Sequence, residues 1–254
     1  MLENVFQCAF RARNFMWLLA VTALTACGPA PVAQGINDPY EQTNRNIHQI
    51  NLAVDRNVVR PVSRLFGDGD GFVLRRAKNF AGNLSVPGTV VNNLLQLRIA
   101  DAGQNTLRFA VNSTFGLAGL FDPAGTLGVA PKPTDFGETL HVWGVGEGPY
   151  MEVPLVGPST ARDTLGTAVD LVINPTNLLP EPEVYVGVAA KLASRLGDRA
   201  RYSGTVDSIL YDSADSYAQT RLLYLQNRRF ELGKGKPADA ATGFVDPYED
   251  PYGQ

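Results

Sequence analysis

The chain has 254 residues, 44% of them hydrophobic and 19% charged, with a net charge of -3 and a mean hydropathy of -0.08. That balance excludes an intrinsically disordered chain, and a pI near 5.4 excludes the basic footprint of a nucleic-acid binder. Two cysteines exclude a disulfide framework, two histidines leave little for metal or base chemistry, and 25 Gly with 17 Pro predict short, broken elements.

Residues 1–26 have the layout of a secretory signal, with Arg11 and Arg13 ahead of the uncharged stretch 15–26. That stretch is too short to span a bilayer, which needs about 20 residues. It ends in Leu24-Thr25-Ala26-Cys27, which resembles the bacterial lipobox. The resemblance implies cleavage before Cys27, lipidation of its sulfur and acylation of the new amine. Lipid chains on one residue exceed the two-signal threshold for stable anchoring, so the mature protein is expected to be membrane-held without a transmembrane helix. Gly28 in place of Asp after Cys27 resembles the sorting pattern that favours the outer membrane.

Residues 27–37 read as a lipidated tether, 38–233 as the folded body, and 234–254, rich in Pro, Gly and Asp, as a disordered tail. Within the body the helical period dominates. A helix is expected over 43–60, with Ile47, Ile50, Val54 and Val58 on one face and Pro61 as its stop. Later stripes run through Leu107, Ala110, Val111, Thr114 and Phe115; through Leu165, Ala168, Val169 and Val172; and through Val184, Val188, Leu192 and Leu196. A last helix is expected over 205–231, carrying Ile209, Tyr217, Tyr224 and Leu225. Breaks are expected at 67–71, Pro87-Gly88, 116–133, 144–158 and 175–182. Periodicity alone leaves two readings of these amphipathic faces: they pack on one another as a soluble core, or they lie along a bilayer interface.

Familiar chemical motifs are weak. Gly144 to Pro149 is glycine-rich but leads into an extended Tyr150 to Pro154 instead of opening a helix, which argues against a phosphate loop. Asp68-Gly69-Asp70-Gly71 places glycine at the fourth position and Asn79 at the twelfth, which argues against a calcium loop. No G-x-S-x-G elbow is present, His48 reads as a polar helix residue, and His141 as a turn or strand residue near Trp143. Arg56, Arg60 and Arg64 form a cationic row bent by Pro61, which has two readings: a row that meets lipid phosphates or, more commonly, a solvated face paired with Asp55.

Read together, the remaining motifs resemble the MlaA (VacJ) family of outer-membrane phospholipid-transport lipoproteins. They include Asp38-Pro39-Tyr40-Glu41 with Asn44-Arg45, Asn51, Arg60-Pro61-Val62, Asn79-Phe80 with Asn83-Leu84, and Asn92 to Gln96. Arg108-Phe109, Asn112-Ser113-Thr114, Gly116, Gly119 and Asp122 follow, then Asp135 to Leu140, Trp143 to Gly146, Gly157 to Thr160, Arg162-Asp163 and Gly166. The family's late Asp-Pro-Tyr appears here as Asp215-Ser216-Tyr217.

The resemblance implies a mainly α fold, a ring of amphipathic helices lying in the inner leaflet of the outer membrane, with a central amphipathic pore and an irregular hairpin. It implies a passive conduit that draws mislocalised phospholipid from the outer leaflet, with no catalytic site, cofactor or metal. Porin trimers in the membrane and a soluble periplasmic lipid shuttle are the implied partners. Cys27 is then the lipidation site; Asn44, Arg45, Asn51 and Asn112 are candidates for polar contacts of the pore or ring; and Gly116, Gly119 and Asp122 frame the hairpin. Arg162, Asp163, Tyr217 and Arg221 read equally as buried structural pairs. Two other classes remain open at this point: a structural lipoprotein that tethers partners, and a lipid-modifying enzyme that depends on His48 or His141.

Overall fold

The computed structural model describes residues 28–174 and 183–233. The signal peptide, Cys27, the expected break at 175–182 and the tail lie outside the described residues. After an extended entry whose Ala30 amide donates to the His141 carbonyl, α1 (Glu41–Val54) leads through a π-helical stretch (Asp55–Val59) into α2 (Arg60–Arg64). Then come α3 (Phe72–Leu95), α4 (Ile99–Thr114), the short α5 (Pro123–Thr126) and α6 (Phe136–Val142). Two strands, β1 (Tyr150–Val153) and β2 (Gly157–Thr160), pair antiparallel with Tyr150 opposite Thr160. The chain closes with α7 (Ala161–Ile173), α8 (Glu183–Arg201), α9 (Ser203–Asp207) with a second π-helical stretch (Ser208–Asp212), and α10 (Ser216–Gly233).

The mainly helical expectation holds, the break expected at 116–133 is present and contains only the short α5, and three boundaries differ. Pro61 does not stop the first helix. The wider π turn ahead of it, in which the Arg60 amide reaches back five residues to the Asp55 carbonyl, makes room for the proline ring at the start of α2. Pro87-Gly88 does not break α3, which runs 24 residues through the proline. Packing against α4 and α8 along its length outweighs the roughly 3 kcal/mol an interior proline costs. The predicted helix 205–231 is instead divided at 213–215: the Ser213 hydroxyl donates to the Ile209 carbonyl at 2.6 Å, and the Asp215 carboxylate accepts from the Ala218 amide at 3.0 Å. A stop and a new N-cap thus sit side by side. His141 belongs to α6 rather than to a turn or strand, and Asp55 pairs with Arg199, 144 residues away, rather than with its neighbouring arginines.

The interior is polar. Among the described residues the buried set holds twenty polar or charged side chains and eleven hydrophobic ones, six of which are alanine. Among the described residues the one hydrophobic cluster of fully buried side chains is Tyr150, Tyr217 and Leu225. The apolar stripes face outward: Phe115 is 81% and Val172 73% exposed, whereas Asn112 on the first helix and Arg162 on the second are 6% and 4% exposed. A protein dissolved in water buries such stripes. This arrangement suits a chain whose surrounding medium is hydrocarbon, where polar groups must be satisfied internally. Among the described residues no helix is long and apolar enough to cross a membrane, so the exposed stripes suit helices that lie along an interface.

Candidate functional site

The polar faces of α3 and α4 meet across a groove of about 300 Å³, closed at one side by the 115–133 segment. Lys78, Asn79, Asn83, Ser85 and Thr89 contribute from α3; Asn105, Arg108 and Asn112 from α4; Asp122, Pro131 and Lys132 from the segment. The α4 residues fall at i, i+3 and i+7, one stripe of a helix, opposite the apolar one.

Each of these three α4 side chains holds a piece of backbone. The Asn105 amide donates to the Lys132 carbonyl at 2.8 Å and accepts from the Lys132 amide at 3.1 Å. The Arg108 guanidinium donates to both Asp122 oxygens at 3.0 Å and to the Val129 carbonyl. The Asn112 amide donates to Asp122 Oδ1 at 2.8 Å and accepts from the Ala124 amide at 3.0 Å. Asp122 is also the N-cap of α5, accepting from the Gly125 amide at 2.9 Å. Burial pushes its carboxyl up, but the Gly125 amide, Asn112 and Arg108 outweigh burial and hold it below the usual carboxylate range.

The bend itself requires its glycines. A Cβ on Gly119, whose φ is +94°, would stand 2.4 Å from the Asn83 side chain; one on Gly116 would stand 2.4 Å from the Asn112 carbonyl oxygen. Leu117 and Ala118 between them adopt φ of 52° and 58°, so four consecutive residues depart from ordinary geometry or spacing.

A second cavity of about 250 Å³ lies between α1, its π-helical stretch, the β hairpin and α10. Asn51 sits at its edge and clamps the hairpin, donating to Glu152 at 3.2 Å and the Val153 carbonyl at 3.1 Å and accepting from the Leu155 amide at 2.7 Å. Its floor is His48, with Nδ1 3.3 Å from Glu152 and Nε2 3.1 Å from the Ser216 hydroxyl.

Of the residues singled out from sequence, Asn112, Gly116, Gly119 and Asp122 come together at the first groove, and Asn51 lines the second. Asn44 lies outside both: it donates to Asp38 at 2.9 Å and to the Tyr150 carbonyl at 3.1 Å, joining α1 to β1. Arg45 is a surface residue that makes a bidentate pair with Asp215 at 3.0 and 2.8 Å above the Tyr217 ring. That pair draws the Asp215 carboxyl down to about 2. Cys27 lies outside the described residues. Arg162, Asp163, Tyr217 and Arg221 are buried partners: Asp163 meets Arg162 and Arg228, each at 3.1 Å, and Asp38 accepts from both Tyr217 and Arg221. Burial pushes Asp163 up, yet Arg228 and Arg162 hold it below its ordinary range.

Sequence reasoning did not single out Lys78, Asn105 or Lys132. Asn105, Arg108 and Asn112 carry a signal that periodicity records, a polar stripe at helical spacing, but only a known medium tells which stripe faces inward.

The MlaA lipoprotein family model matches residues 36–231. The intermembrane phospholipid transport system lipoproteins MlaA of Shigella flexneri and of Escherichia coli K12 are each 31% identical over 245 residues, covering 93% of this chain and 92% of theirs. An uncharacterised Rickettsia bellii protein is 33% identical over 195 residues, 76% of each chain. A solved structure concerned with the maintenance of bacterial outer membrane lipid asymmetry superposes with a TM-score of 0.64 at 28% identity, covering 77% of this chain and 98% of that one. The outward apolar stripes, the polar groove and the Gly116–Gly119–Asp122 bend therefore sit on a shared framework, and the chain belongs to the MlaA lipoprotein family.

Proposed function

We propose that this protein is an outer-membrane lipoprotein that takes mislocalised phospholipid from the outer leaflet and passes it through a polar path to a periplasmic lipid shuttle, maintaining lipid asymmetry. The observation that carries this reading is the inverted polarity. Large apolar side chains on the outside suit contact with acyl chains, and polar side chains around a groove suit passage of a headgroup. A charged headgroup crossing hydrocarbon is costly, and a path lined by amides, lysines and hydroxyls lowers that barrier.

In this reading the groove beside α3 and α4 is the headgroup path, Asn112 and Asp122 fix its hairpin wall, and Gly116 and Gly119 allow the bend. Asn44, Arg45 and Asn51 hold α1 to the hairpin and α10. Cys27 carries the lipid anchor, a porin trimer is the membrane partner, and a soluble lipid carrier is the acceptor. The names of the Shigella and Escherichia relatives support the transport role. The enzyme alternative has little to work with at His48, whose two ring nitrogens are both engaged by Glu152 and Ser216.

The test is outer-leaflet phospholipid in cells with and without the gene. A rise on deletion, reversed by the wild-type gene but not by Cys27→Ala, is the expected result. An unchanged outer leaflet overturns the reading in favour of a partner-tethering lipoprotein.

A further inference from the structure

The groove beside α3 and α4 carries an uneven charge. It is lined by three cationic side chains, Lys78, Arg108 and Lys132, and one carboxylate, Asp122. Asp122 is spent, since both its oxygens receive the Arg108 guanidinium and Oδ1 also receives Asn112 and the Gly125 amide. Arg108 is spent on the same carboxylate and on the Val129 carbonyl. The two lysines remain. Lys78 pairs with Asp198 on α8, and Lys132 stands 3.9 Å from Asp101 on α4. Both partners lie outside the groove lining, and both lysine side chains are about half exposed, 51% and 45%. An ammonium on a four-carbon stem exchanges such a partner readily, because an exposed pair of this kind contributes little. The rest of the polar lining is neutral: Asn79, Asn83, Asn105, Asn112 and two hydroxyls. A protein of net charge -3 has thus lined one polar groove with two half-exposed cations whose carboxylate partners lie outside that lining, and with a single carboxylate that is itself fully engaged.

We infer that this groove selects phospholipids of net negative charge, the Lys78 and Lys132 ammonium groups meeting the headgroup phosphate while the amide wall offers no counter-charge to an ammonium headgroup. The inference rests on the lipid-path reading above and deepens it by naming the preferred substrate class. A zwitterionic headgroup brings an ammonium that finds no free carboxylate among the lining residues, Asp198 and Asp101 standing outside them, whereas an uncharged glycerol headgroup fits the amides and hydroxyls without penalty.

The test uses the full-length lipoprotein incubated with vesicles of equal phosphatidylglycerol and phosphatidylethanolamine. Bound lipid is quantified by mass spectrometry, with total lipid bound read separately from the ratio. The wild type is expected to enrich phosphatidylglycerol by about fivefold per engaged lysine at low salt, the factor that about 1 kcal/mol per basic residue gives. The enrichment shrinks as ionic strength rises. Lys132→Gln and Lys78→Gln each lower the ratio and the double variant brings it to unity, whereas Lys132→Arg and Lys191→Gln, the latter outside the groove, keep it. A wild-type ratio of one, or an enrichment that survives in the double variant, overturns the selectivity while leaving lipid transport in place. Wild-type protein that binds neither lipid overturns the transport reading as well. An enrichment that excess free glycerol phosphate leaves untouched at matched ionic strength shows that the lysines do not meet the headgroup phosphate and overturns the assignment.

Discussion

Two polar regions of this molecule are built from different chemistry. Around the groove, α4 holds the 115–133 segment with neutral amides and one arginine, and the space between is left open. Around α10 the polarity is ionic and closed. Tyr217, Arg221, Tyr224, Arg228 and Arg229 reach Asp38, Asp135, Glu147 and Asp163, and the aromatic rings of Tyr150 and Tyr217 pack edge to face at 5.9 Å. The contrast teaches where rigidity is needed. Amide-to-backbone bonds fix a wall without filling the space beside it, while paired charges consume one another and lock elements far apart in sequence.

The comparison is broken most severely at the ionic end. Asp163→Ala leaves Arg162 and Arg228 buried without their shared carboxylate, and a loss of about 3–5 kcal/mol is expected in denaturant unfolding. A loss below about 1 kcal/mol would mean that the web is solvated and the two regions are alike. Next is Gly119→Ala, whose Cβ meets Asn83 at 2.4 Å in a left-handed backbone. About 1–3 kcal/mol is expected from strain and overpacking, read by thermal unfolding.

Asp122→Ala removes an N-cap and the partner of Arg108. Its expected cost is about 1–2 kcal/mol, concentrated in the segment it holds, so amide hydrogen exchange should rise over 116–126 before α10 loosens. Uniform acceleration across both regions would erase the distinction.

The smallest effect sharpens the comparison through pH. Asp215 is drawn down to about 2 by Arg45, so the pair's stabilisation is present above the ordinary carboxylate range and fades as pH falls from about 4 towards 2. Because both partners are exposed, Arg45→Gln should cost under about 1 kcal/mol at neutral pH and flatten that acid limb slightly. Asp163, also held low, has the same sign, and its limb should vanish in Asp163→Asn.

Much of this was readable from sequence, and the unread part has one physical origin. The period of Leu107, Ala110, Val111 and Phe115 gave α4, and that of Leu165, Val169 and Val172 gave α7, because periodicity follows from helix geometry alone. Which side faced inward did not follow, because an apolar stripe has the same spacing whether it meets another helix or a lipid chain. The break at 116–133 was visible as glycine and proline punctuation, whereas its framing by Gly116, Gly119 and Asp122 followed from the family resemblance alone. Lys78 and Lys132 were not visible, since an isolated lysine has the same appearance on a solvated face as at a groove. Pro61 and Pro87 misled for a third reason: local preference was overridden by a π turn in one case and by long-range packing in the other.

The pairing of α10 with acids scattered from Asp38 to Asp163 also sets an order of events. Asp38 is joined to residues 179 and 183 positions later in the chain, and Asp135, Glu147 and Asp163 wait on arginines of the same helix. Until that last helix arrives, any compact assembly of the earlier elements gathers carboxylates with too few cations to balance them, a state that burial disfavours. A copy truncated before Ser216 should therefore carry its own mark of incompleteness, a patch of unanswered negative charge.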